Sequence, residues 1–114
     1  MQPESKFVET NGVNHHYLEW GNPDNPKVLM FHAVGMCSQI WSFAAKDLAK
    51  DYHVFSFDLR GHGDTETAEG GITFKQIGAD TASVIQALGL EGSICIGHSA
   101  GGMSMLIADS MFPG

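Results

Sequence analysis

Three short apolar runs, KVLMFH (27–32), YHVFSFDL (52–59) and GSICIG (92–97), constrain this chain more than any other feature. A strand that alternates apolar and polar residues can leave one face to water. A continuous run cannot, so each of these predicts a strand buried on both faces. Helical stretches separate them. Residues 38–50 place Ile40, Trp41, Ala44, Ala45 and Leu48 at helical spacing, with Ser38 in position to cap the start. From Thr73 a second stretch carries Phe74, Ile77, Thr81, Val84, Ile85 and Leu88 on one stripe. Gln76 completes a capping box with Thr73, and Gly89 is placed to end the helix. Residues 100–111 read as a third helix, stopped by Pro113. Strands alternating with helices imply a mostly parallel sheet covered on both faces by right-handed crossovers, an α/β fold.

Before this alternation, KFVET (6–10) and VNHHYLEW (13–20) flank Asn11-Gly12, a pair that accepts positive φ at both central turn positions and predicts a β-hairpin. GNPDNP (21–26) is a loop. A chain of 114 residues is one domain at most. Six Lys and Arg against 13 Asp and Glu give a formal charge of −7, which disfavours nucleic acid or an anionic membrane as partner. The start, MQPESKFVET, lacks the basic-then-apolar pattern of a signal peptide, and no apolar stretch approaches the ~20 residues of a membrane span. Cys37 and Cys95 lie far apart without a ligand pattern, so they read as free thiols of a reducing cytoplasm, and no metal or cofactor site is expected.

Chemistry gathers where apolar runs end. Gly97-His98-Ser99-Ala100-Gly101 is G-x-S-x-G, entered from the run ICI and left into an apolar-striped helix. A serine at that junction sits on a tight turn whose neighbours must be small, and the helix N-terminus offers N–H groups to developing negative charge. Ser99 is therefore a candidate nucleophile. FHAVGMCSQIW (31–41) follows the first run and can turn backbone N–H groups toward that serine, although an ordinary strand–helix turn fits it equally well. Asp58-Leu59-Arg60-Gly61-His62-Gly63 follows the second, and for Asp58 a structural role in holding its loop is the favoured reading.

Taken in order, "VLMFHAVGMCSQIW", "FDLRGHGDT" and "GHSAGG" resemble the α/β-hydrolase fold family: its strand-3 oxyanion loop, its strand-4 signature and its nucleophile elbow. The resemblance runs from about Phe7 to Gly114. It implies that Ser99 is the nucleophile and that the backbone N–H groups of Ala100 and Val34 form the oxyanion hole. The family's usual glycine before the second donor is Ala33 here. It also implies the serine branch (esterases, lactonases, carbon–carbon hydrolases, cofactor-free haloperoxidases or perhydrolases), since members that open epoxides carry an aspartate at position 99. A non-catalytic binding member of the fold is the alternative outside enzymes.

The family's triad runs Ser, acid, His in chain order. After Ser99 the only carboxylate is Asp109, about 15 Å further along the helix at its known rise, and no histidine follows. His98 leaves the strand end on the side opposite Ser99, His32 and His62 belong to loops, and His15, His16 and His53 lie on early strands. Trp41 and Met103 fit the core better than a substrate pocket. Residues 1–114 are therefore expected to be the N-terminal part of a serine hydrolase domain, inactive alone. The implied strand order, 1-2-4-3-5, leaves 92–97 as an open apolar edge through which the chain is expected to self-associate.

Overall fold

A computed structural model describes residues 3–32, 42–58 and 74–97, together with 105, 106 and 108. Five strands and two helices follow one another as β1 (Glu4–Thr10), β2 (Val13–Trp20), β3 (Lys27–Phe31), α1 (Ser42–Leu48), β4 (His53–Phe57), α2 (Phe74–Ala87) and β5 (Ile94–Gly97). The strands form one sheet in the order β1-β2-β4-β3-β5. β3 pairs parallel with both β4 and β5, whereas β1–β2 and β2–β4 are antiparallel. The sheet is thus mixed, because the N-terminal hairpin joins the parallel part through β2.

Local sequence explains the connections. Asn11 and Gly12 adopt φ of 52° and 75°, the two positive values a tight hairpin turn demands, and the register closes at Thr10 opposite Val13. α2 ends as its glycine predicts. Gly89 has φ 67°, its N–H donates to the Gln86 carbonyl at 3.2 Å, and the Leu90 N–H reaches back to Ile85 at 2.8 Å. These two bonds are the Schellman pattern, which satisfies carbonyls the helix leaves open. The proposed Thr73 cap and most of the 100–111 helix lie outside the described residues.

Strand alternation sorts the apolar runs onto two faces. Tyr17, Leu29, Phe31, Phe55 and Phe57 pack with Ile77 and Val84 of α2 and with Leu90. Leu18, Trp20, Val28, Met30 and Val54 pack on the other face with Ala45 of α1 and with Ala49. Met105 joins the α2 side. β3 and β4 are buried on both faces, as continuous apolar runs require.

β5 departs from that expectation. Cys95 packs inward on the α2 side, but Ile94 and Ile96 are 54% and 37% exposed on the other. Among the described residues β5 pairs only with β3, so its second edge is open. An apolar strand with a bare edge is a template for another chain. Residues 1–114 in isolation are expected to sediment as oligomers, and Ile94→Lys with Ile96→Lys to shift them toward monomer. A monomeric unmutated chain at tens of micromolar would contradict this.

At the opposite end of the sheet, Glu19 accepts hydrogen bonds from Lys6 Nζ at 2.8 Å and from His53 Nε2 at 2.5 Å. Burial opposes the charged carboxylate, but these hydrogen bonds and the charges behind them prevail and hold Glu19 below its ordinary value of 4.5. A depressed carboxylate stabilises the fold above its unfolded value, and that contribution disappears as pH falls through the folded one. The urea midpoint should therefore fall on acidification below 4.5. Glu19→Gln should start lower at neutral pH and fall less steeply.

Candidate active site

The described part of the site is the C-terminal end of the parallel strands. Phe31 lies opposite Phe57 on one side and Gly97 on the other, so β4, β3 and β5 end level with one another. The next residues are Asp58, His32 and His98, with Ser99 one step beyond. In open α/β sheets, ligands bind outside these carboxyl ends. Ser99, Ala100 and Val34 all lie outside the described residues, as do His62, His98 and the RGHG loop. His32 is fully buried beneath the rim.

Asp58 has a partner the sequence does not suggest. Its Oδ2 accepts a 2.6 Å hydrogen bond from His16 Nδ1, and both side chains are buried. The Asp58 N–H extends the β2–β4 ladder by donating to the His16 carbonyl at 3.0 Å. Sequence reasoning set His16 aside as an early-strand residue. Only the antiparallel β2–β4 pairing, which no local pattern encodes, brings it to the strand ends.

On the α2 face beside this pair, His15, Phe31, Phe57, Asp58, Asp80, Thr81 and Val84 line a cavity with room for about one water molecule. The hairpin turn is tied to the same helix. Asn11 Nδ2 donates to Asp80 Oδ1 at 2.7 Å, and the hydroxyls of Thr10 and Ser83 meet at 2.8 Å. The hairpin thereby fixes the helix that flanks the strand ends. Cys95, one turn of the strand below Gly97, is a free thiol, and burial pushes its pKa up, so it is no thiolate nucleophile.

A family profile described as alpha/beta hydrolase fold matches residues 26–113. The chain belongs to the alpha/beta hydrolase fold family. Among its relatives, a bifunctional esterase/perhydrolase of Acinetobacter calcoaceticus is 29% identical over 109 residues, covering 94% of this chain and 40% of the relative. Epoxide hydrolase 4 of Homo sapiens is 25% identical over 108 residues, covering 93% and 30%. Of solved structures, the thioesterase domain from the curacin biosynthetic pathway superimposes with a TM-score of 0.89 at 31% identity, covering 99% of this chain and 43% of that one. The chain therefore spans about two fifths or less of these relatives. No helix among the described residues is long and apolar enough to cross a membrane.

Proposed function

We propose that the whole alpha/beta hydrolase carrying these residues hydrolyses a carboxylic ester, a lactone or a related acyl compound through an acyl-enzyme on Ser99. The observation that carries this reading is the level ending of β4, β3 and β5, with β5 handing its chain at Gly97 directly to His98-Ser99-Ala100-Gly101. On this reading the Ser99 hydroxyl attacks the acyl carbon and expels the alcohol. The N–H groups of Ala100 and Val34 hold the negative oxygen, and water releases the acid. An epoxide-opening relative of the aspartate type passes through an ester of its own carboxylate. This chain has Ser99 in that place, which supports the acyl reading.

The acid and base of the triad are assigned to parts of the whole protein outside residues 1–114, so these residues alone are expected to show negligible turnover. The free thiol of Cys95 supports a reducing, cytoplasmic setting. Perhydrolysis is the second reading, favoured by the esterase/perhydrolase relative. The test is p-nitrophenyl acetate hydrolysis by the whole protein, with and without peroxide. Ester hydrolysis that proceeds without peroxide, with peracid formed only slowly when it is added, supports the first reading. Peracid formation that outpaces hydrolysis supports the second, and neither activity on a range of acyl esters would favour a binding protein.

A further inference from the structure

The His16–Asp58 pair does not stop at two residues. On its other ring nitrogen, His16 Nε2 lies 2.7 Å from the Oγ of Ser5, an exposed residue of β1. A carboxylate can only accept, so the Asp58 contact requires the Nδ1–H tautomer. In the neutral ring Nε2 is then the acceptor for the Ser5 hydroxyl proton. Carboxylate, imidazole and hydroxyl are thus joined in line through Nδ1 and Nε2, the connectivity by which serine nucleophiles are activated. The pairing of β1 with β2 sets Ser5 opposite Leu18 and Phe7 opposite His16, so all four share one face of the sheet. Phe7 lies beside the imidazole at 5.1 Å between centroids and is 52% exposed, an apolar surface next to the hydroxyl.

We propose that Ser5, His16 and Asp58 form a second nucleophilic relay, independent of Ser99, through which Ser5 accepts an acyl or phosphonyl group from an activated ester with an apolar chain. His16 Nε2 takes the Oγ proton as Oγ bonds to the acyl carbon. The bond from that carbon to the leaving oxygen breaks, and His16 returns its proton to that oxygen, giving a Ser5 ester and a free alcohol. Asp58 holds the tautomer and balances the imidazolium. The apolar chain lies along Phe7. With a fluorophosphonate the bond broken is P–F, fluoride leaves, and the His16 proton passes to water.

Trypsin makes this readable, because the peptide MQPESK (1–6) contains Ser5 as its only hydroxyl. The whole protein with Ser99→Ala is treated with an alkyl fluorophosphonate, and adducts are followed by peptide mass. Ser5 in peptide 1–6 is expected to gain the phosphonyl group about 100-fold faster than Ser93, which fragment masses separate from the other hydroxyls of its tryptic peptide, in keeping with general-base assistance. Ser5→Ala should abolish the adduct, and His16→Gln should slow it at least about tenfold. Labelling at the Ser93 rate, or labelling unchanged by His16→Gln, would reduce the relay to a structural tie between β1 and the sheet. If His16→Gln does not fold, the same reaction in urea decides. The selectivity for Ser5 must vanish there, and selectivity that survives unfolding overturns the proposal.

Discussion

Replacing Ser99 with alanine is expected to lower ester hydrolysis by the whole protein about 10⁴-fold or more while leaving its melting temperature within a few degrees. The size follows from the chemistry. On the proposed mechanism no acyl-enzyme can form at position 99 without Oγ, and hydrolysis there is left to water attack on an ester held by the oxyanion donors. The small change in stability follows from the proposed reading, in which the side chain removed is a single hydroxyl on a turn. Steady-state hydrolysis of p-nitrophenyl acetate beside a thermal melt separates the two effects. A loss under tenfold would place the nucleophile elsewhere, and a matching collapse in melting temperature would mean that the serine holds the turn together.

The largest stability effect is expected at Phe31. Its ring is fully buried and stacks on Phe57 with centroids 5.2 Å apart and planes 11° from parallel. It belongs to the α2-side cluster and sits on the central strand, paired with both β4 and β5. Phe31→Ala would open a cavity under α2 and is expected to cost about 3–5 kcal/mol. That is a large fraction of the 5–15 kcal/mol or so that holds a typical domain folded. Phe31→Leu keeps most of the volume and should cost roughly 1–2 kcal/mol. Denaturant melts of the whole protein measure both. Equal effects would mean that packing at this position is loose, and because Phe31 adjoins His32 at the strand end, hydrolysis should fall with the alanine variant well before the leucine one.

The strand–helix alternation was legible because each signal is local. Asn11-Gly12 demands its turn, Gly89 its helix end, and unbroken apolar runs their burial, so β2, β3, β4 and α2 fall within a residue or two of expectation. Ile94 and Ile96 show where that logic stops. Their run reads as buried, yet burial depends on a neighbour that the run itself does not supply. The reach of Asp58 was equally hidden. Its contact with His16 spans 42 positions and arises from an antiparallel pairing between a hairpin strand and a crossover strand. The Ser5 hydroxyl joins that pair only through the hairpin register. Motifs written into consecutive residues, such as G-x-S-x-G, can be found by reading along the chain. Relays assembled across strands cannot.

A crystal structure of the whole protein after reaction with a phosphonate ester decides whether Ser99 is the nucleophile. Phosphorus should be bonded to Ser99 Oγ on the turn after β5, with its phosphoryl oxygen within hydrogen-bond distance of the Ala100 and Val34 N–H groups. Finding Ser99 unmodified and enclosed in the core, or lying within a continuous helix, would contradict it.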